Sequence, residues 1–289
     1  MVEELFASGH RACAGCGIAV AFRQIMKAVG KDVVIVNATG CGEIISSPYP
    51  QSAWRVPYIH TLFENVPAVA TGISHAFRSM GNDHTQVVCI AGDGSTYDIG
   101  FGALSGMLER NDDVLYVCYD NEAYMNTGIQ RSSATPWKAS TTTSQVGKAI
   151  QGKPQWKKPV IDIVAAHNIP YAASSSIAYP FDVDKKLKKA IGMKGARFIS
   201  IFSSCPTGWG LDTAKSIQAA RLIVETGIWK MTEYENGKLT NIHKPGKRKP
   251  VEEYLKIQKR FKHLTPEDIT YIQKTIDDSW IEIEQTPKG

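Results

Sequence analysis

Two side chains in this sequence offer hard oxygen ligands at matched positions. Asp93 follows an apolar run at residues 87–91 and stands between Gly92 and Gly94, and Asn121 follows a second apolar run at 114–119. The two lie 28 positions apart with a helical pattern between them. A carboxylate and an amide carbonyl suit Mg²⁺, which completes its shell with water and phosphate oxygens. The flanking glycines allow a sharp turn and close approach of the backbone to an anion. A helix beginning near Tyr97 would aim its amino end at that anion. The plainer alternative is a structural turn in which Asp93 caps a helix.

The second set is sulfur. Cys13 and Cys16 form a CxxC within GHRACAGCG, just ahead of a helical pattern at 18–29. Cys41 follows 25 positions later, in a glycine-bracketed loop after the apolar run 33–37. Cys205 follows the run 197–203 and is followed directly by Pro206, as cluster cysteines often are. The CxxC alone fits a redox pair, a zinc half-site or an iron–sulfur half-site. A redox pair usually follows a strand, and no strand pattern precedes this one. Cys89 and Cys118 fall inside apolar runs and read as small core residues.

Positioning these groups requires a particular architecture. Two apolar runs joined by a helix make a βαβ unit of a parallel sheet. Open sheets of this kind bind ligands beyond the carboxyl ends of their strands, where Asp93 and Asn121 both fall. The expected fold is therefore α/β, a mostly parallel sheet with helices on both faces. Residues 44–58 contain three prolines and read as an irregular loop, and 68–78 read as a helix with small residues. Residues 122–160 are long, polar and aperiodic, which marks a functional loop. Within it, Asn126 could bond a substrate carbonyl or carboxylate and Arg131 could attract an anion, or simply lie in a solvated loop. Further patterns give helices at 160–169, 181–192 and 213–227 and strands at 171–176 and 197–203. Lys185, Lys186, Lys188 and Lys189 read as a solvated face of their helix. After residue 228 the character changes to a hairpin around Asn236-Gly237, a basic linker KPGKRKP, and helices at 251–262 and 266–284. This places an α/β domain at 1–228 and a C-terminal hairpin, basic linker and helical arm at 229–289.

Composition narrows the function classes. The 289 residues carry 33 basic and 28 acidic side chains, a formal charge of +5. That is too mild to argue for nucleic acid. No 18-residue apolar run suggests a membrane span, and the N-terminus lacks the pattern of a secretory signal. A cytoplasmic location is expected, with reduced thiols.

A Gly-Asp-Gly followed about thirty residues later by Asn resembles the thiamine diphosphate motif. In order along the chain, CAGCG, ATGCG, GDGSTYDIGFGAL, DNEAYMNTG and SSCPTGW resemble the thiamine-diphosphate subunits of the 2-oxoacid:ferredoxin oxidoreductases, most closely those acting on pyruvate. The resemblance covers roughly residues 9–230. It implies that Cys13, Cys16, Cys41 and Cys205 ligate one [4Fe-4S] cluster, and that Asp93, Asn121 and the carbonyl of Ala123 hold Mg²⁺. It places Thr39, Gly40, Cys41, Gly42, Phe63, Glu64, Asn65, Gly92, Gly94, Ser95, Met125 and Asn126 against thiamine diphosphate. Asn126 and Cys41 would stand nearest the chemistry. The implied reaction turns a 2-oxoacid and coenzyme A into an acyl-CoA and CO₂, with electrons passing through the cluster to ferredoxin. The implied partners are other subunits: one supplying the glutamate that activates the pyrimidine ring, a ferredoxin-like subunit with several clusters, and one on the coenzyme A side. Other 2-oxoacids, a non-oxidative thiamine enzyme and a zinc-binding interaction module are the competing readings.

Overall fold

The computed structural model describes residues 4–285. Its centre is one eight-stranded sheet in the order β2-β1-β3-β4-β6-β5-β7-β8. The chain begins with α1 (Gly17–Val29), β1 (Val33–Ala38), α2 (Cys41–Ser46), β2 (Tyr58–Thr61) and α3 (Val66–Ser79). Next come β3 (Gln86–Gly92), a π-helical turn (Gly94–Ile99), α4 (Phe101–Glu109) and β4 (Leu115–Asp120). After the long loop stand α5 (Val160–Ala165), β5 (Tyr171–Ser176), α6 (Pro180–Ile191), β6 (Arg197–Phe202), α7 (Pro206–Trp209) and α8 (Ser216–Glu225). The chain closes with β7 (Thr232–Glu235), β8 (Lys238–Ile242), α9 (Val251–Leu255) and α10 (Pro266–Gln285).

The first six strands pair in parallel. Helices cover both faces, so the central strands are buried on both sides, and every residue of β4, β5 and β6 is buried, including the serines of β5 and Arg197 of β6. Alternate side chains of β3 enter two separate cores. Val88 and Ile90 pack with Phe22 of α1, Leu187 of α6 and Ile223 of α8. Val87, Cys89 and Ala91 pack with Val66 of α3, Leu104 and Met107 of α4 and Val164 of α5. The sheet thus buries a layer on each side, as a doubly covered α/β sheet must.

The predicted hairpin is β7–β8, with Asn236 at φ 48° and Gly237 at φ 76°, a two-residue turn of the kind Asn-Gly favours. It extends the sheet, because β7 pairs antiparallel with β5. Two expectations need correction here. Residues 44–58 are not wholly irregular, since α2 ends at Ser46 and β2 begins at Tyr58. A six-residue helix is too short to show a period, and β2 is an edge strand of four residues with two exposed, so it shows no apolar run. The lysines of α6 are not a uniform solvated face. Lys186 is buried and donates to Ser174 O at 2.9 Å and Asp182 at 2.8 Å, and Lys189 bridges Glu233 and Glu235. Burial of Lys186 requires such pairing: Asp182 lies one turn earlier on α6, while the Ser174 carbonyl of β5 and the β7 acids that hold Lys189 come from other elements. The basic linker is also pinned, by Arg248–Asp277 at 2.7 Å and Lys249–Glu225 at 2.9 Å. No helix among the described residues is long and apolar enough to cross a membrane.

Candidate active site

From β1 the chain moves outward to β2, then returns to place β3 on the other side of β1. Such a switch opens a crevice at the carboxyl ends of the two strands. A cleft lies there, walled by Thr39–Cys41 and Phe63, by Gly92, Asp93, Gly94 and Ser95, and by Tyr119, Asn121 and 123–127.

Asp93 is the buried floor of this cleft, 1% exposed. Its Oδ1 accepts the Asn121 backbone N–H at 3.3 Å, and its Oδ2 accepts the Ser132 hydroxyl. Burial, then the neighbouring Asp120, push its carboxyl well above the usual range, against the partial relief from Ser132 and Lys157. A carboxylate so placed gains strongly from a cation. The Asn121 amide stands 2.9 Å from both Asp93 Oδ1 and Ala123 O. With its nitrogen inward it donates to both. With its oxygen inward, that oxygen faces Asp93 Oδ1 and Ala123 O, each at that separation. An Mg²⁺ octahedron with bonds of about 2.0–2.1 Å has an edge of about 2.9 Å, so the donor set and spacing fit the ion.

The turn after Asp93 is π-helical rather than the ordinary helix expected from Tyr97, and α4 starts only at Phe101. Single π turns cluster at functional sites. Gly94 is required by sterics: a Cβ there would meet the Tyr124 ring at 2.2 Å. The Tyr124 hydroxyl donates to Gly94 O at 2.9 Å, and Ser95 donates to Phe63 O. Gly42 donates its N–H to the Tyr119 hydroxyl at 3.0 Å, tying the Cys41 loop to the end of β4.

Cys41, the first residue of α2, forms part of the cleft wall, and Cys205, Cys16 and Cys13 lie close enough to act on it electrostatically. Cys16 immediately precedes α1, and Cys205 caps α7, accepting from Gly208 N–H at 3.3 Å. Burial, then Cys205, Cys16 and Cys13 together, raise the Cys41 thiol far above its usual range. Burial, and more weakly Cys16 and Cys13, push Cys205 up to about 11. Cys16 rises too, from burial first and Cys13 last. Cys16, Cys41 and Cys205 therefore lie close enough to act on one another, and a cationic centre among them would favour their thiolates. Among the described residues no three His, Cys, Asp or Glu side chains converge tightly enough for a single ion. Cys89 and Cys118 are fully buried in β3 and β4, away from this group.

Of the residues singled out in the sequence, Thr39, Gly40, Cys41, Phe63, Gly92, Asp93, Gly94, Ser95, Asn121, Ala123, Met125 and Asn126 line the cleft. Gly42, Glu64 and Asn65 stand behind it: Asn65 precedes α3 and accepts from the Thr61 hydroxyl. Cys13, Cys16 and Cys205 are outside the lining, and Met125 touches the Cys205 loop, since a Cβ on Gly208 would meet its sulfur. Tyr119 and Tyr124 line the cleft without having been anticipated. Tyr119 was hidden in an apolar run, and Tyr124 in the polar loop that begins after Asn121.

Residues 38–201 match the family described as thiamine pyrophosphate enzyme, C-terminal TPP binding domain. The chain therefore belongs to the thiamine diphosphate (pyrophosphate) enzymes. It is 53% identical over 283 residues to pyruvate synthase subunit PorB of Methanocaldococcus jannaschii, covering 96% of this chain and 95% of the relative. It is 50% identical over 285 residues to ketoisovalerate oxidoreductase subunit VorB of Pyrococcus furiosus, covering 96% and 92%. Among solved structures, 2-oxoglutarate:ferredoxin oxidoreductase from Magnetococcus marinus shares the fold, with TM-score 0.59 and 23% identity over 75% of this chain and 79% of that one. Within the thiamine enzymes, the chain is a member of the 2-oxoacid:ferredoxin oxidoreductase family, a subunit of a multi-subunit oxidoreductase.

Proposed function

We propose that this chain binds thiamine diphosphate through Mg²⁺ at Asp93, Asn121 and the carbonyl of Ala123, and one [4Fe-4S] cluster through Cys13, Cys16, Cys41 and Cys205. The complex it serves converts pyruvate, coenzyme A and two oxidised ferredoxins to acetyl-CoA, CO₂, a proton and two reduced ferredoxins. The observation that supports this best is the 2.9 Å spacing of the Asn121 amide from Asp93 Oδ1 and Ala123 O at the floor of a strand-end cleft.

Bound thiamine diphosphate supplies an electron sink for decarboxylating a 2-oxoacid. The protein's own part is to anchor, orient and wire it. Asp93 neutralises the ion and Gly94 lets the backbone pass close to a phosphate. Asn126, exposed at the cleft rim, donates to a substrate carboxylate or carbonyl. Cys41 belongs both to the cleft wall and to the thiol set, so a cluster held there would supply an electron acceptor beside the cofactor. Glu64 precedes α3 behind the cleft, and the pyrimidine-activating carboxylate is assigned to a partner subunit. Partner chains also supply the further clusters that lead to ferredoxin and the coenzyme A side of the site, and the complex works in the cytoplasm.

A branched 2-oxoacid is the second reading, favoured by the ketoisovalerate oxidoreductase relatives at 50% identity. The purified complex, offered pyruvate, 2-oxoisovalerate and 2-oxoglutarate with coenzyme A and a viologen dye, separates the two. Fastest reduction with pyruvate is expected, and a higher kcat/KM for another acid overturns the pyruvate assignment.

A further inference from the structure

A buried ionic cluster borders the cleft, and no step above uses it. Glu122 and Arg260 are both buried and pair through Oε2 and the guanidinium at 2.5 Å, although 138 positions separate them. Arg260 also places its Cζ over the Trp209 ring, 4.3 Å from the centroid, and its Nε donates to Gln258 at 2.9 Å. Trp209 is the last residue of α7, the helix that Cys205 caps, and its indole N–H donates to Asn121 O at 3.0 Å. Glu122 stands between Asn121 and Ala123 with φ 68°, a left-handed backbone that non-glycine residues hold only when their surroundings impose it. The Thr135 hydroxyl fixes its carbonyl at 2.7 Å, and the Asp120 carboxylate accepts its N–H at 3.1 Å. Arg260 thus grips the 121–123 turn twice: through the Glu122 side chain and through the indole that holds Asn121.

We propose that Arg260 is a positioning residue for the 121–123 turn, keeping Glu122 left-handed so that Asn121 and the Ala123 carbonyl face Asp93. This rests on the Mg²⁺–thiamine diphosphate reading of that triad. Arg260 never touches the ion. It acts as the outer partner of ion ligands, and its loss carries the corresponding effect, roughly 10–100-fold in affinity. The same contact links the segment after α9 to the loop of Cys205, so a displacement of that segment reaches the ion ligands through Trp209.

The test uses the intact complex, stripped of cofactor by chelation and retitrated with thiamine diphosphate at fixed Mg²⁺ in a calorimeter. Arg260→Met alone strips the buried Glu122 of its nearest cation and leaves only the longer contacts from Lys157 and the Tyr254 hydroxyl, both at 3.4 Å, a strongly destabilising change. The paired variant Glu122→Gln/Arg260→Met removes both charges together and avoids that. The expected result is thiamine diphosphate binding weakened roughly 10–100-fold, with iron content and the metal-free melting midpoint as in wild type. Arg260→Lys keeps the charge but loses the guanidinium over Trp209, and falls between wild type and the paired variant. Unchanged affinity in the paired variant overturns the inference. So does joint loss of iron, fold and cofactor, which makes Arg260 purely structural. If wild type itself shows no Mg²⁺-dependent binding, the cofactor reading fails instead.

Discussion

Replacing Gly94 by Ala tests how tightly the cleft is built. A Cβ at Gly94 would sit 2.2 Å from Tyr124 Cε1 and 2.5 Å from Cδ1 and Cζ, where ordinary contacts begin at 3.4 Å. The ring must therefore move by more than 1 Å, and its hydroxyl leaves Gly94 O. Overpacking of this kind costs about 1–3 kcal/mol, and the lost hydrogen bond costs about 1 kcal/mol more. The sum is about 2–4 kcal/mol, a fall in melting midpoint of roughly 3–7 °C for a chain this size. Backbone strain adds nothing, because the φ of Gly94 is not in the left-handed region. In a Tyr124→Ala background the clash disappears, and the same substitution becomes neutral or slightly stabilising, since Ala favours helical turns over Gly. Calorimetry on the four variants of this cycle gives a coupling of at least about 1 kcal/mol. Equal destabilisation in both backgrounds, or an unshifted midpoint in Gly94→Ala alone, refutes the steric argument.

Three other outcomes follow from the same geometry. Asp93→Ala abolishes thiamine diphosphate retention and leaves the iron content of the purified complex nearly intact, because the two sites use different ligands; equal loss of both in elemental and cofactor assays would mean that Asp93 holds the fold. Tyr119→Phe removes the hydroxyl that accepts Gly42 N–H at 3.0 Å, so thermal unfolding shows a loss of about 1–3 kcal/mol and the Cys41 loop loosens, read as faster cluster loss in air. Burial alone would raise the Glu233 carboxyl, but hydrogen bonds from Asn241, Tyr171 and Lys189 outweigh it and hold the group at about 2, below its ordinary 4.5. Its contribution of about 2 kcal/mol is present above pH 4.5 and vanishes as pH falls towards 2. Glu233→Gln should accordingly lower the melting midpoint at pH 7 and leave it unchanged near pH 2, whereas a pH-independent shift would remove the carboxylate from the explanation.

The strand-end placement of Asp93 and Asn121 was legible in the sequence because it is local. Asp93 and Asn121 each follow a continuous apolar run, and such runs are strands buried on both faces. Cys13, Cys16, Cys41 and Cys205 were legible for the same reason, each standing in a loop beside a recognisable element. What escaped was long-range or small. Lys186 reads as a surface lysine until β5 supplies the Ser174 carbonyl that buries it. Arg260 is one basic residue among several until the fold carries it onto Glu122 and Trp209. Tyr124 looked like part of an aperiodic loop, and only the absent side chain of Gly94 makes room for it. The edge strand β2 and the six-residue α2 are too short for either period to register.

The central claim is that this chain holds Mg²⁺–thiamine diphosphate and a four-iron cluster at neighbouring sites. Anomalous diffraction tests it directly, on anaerobic crystals of the complex grown with thiamine diphosphate and Mn²⁺ in place of Mg²⁺. The account requires a manganese peak between Asp93, Asn121 and the Ala123 carbonyl, and iron peaks among Cys13, Cys16, Cys41 and Cys205. Manganese absent from that position, or zinc in place of iron among the four thiols, would contradict it.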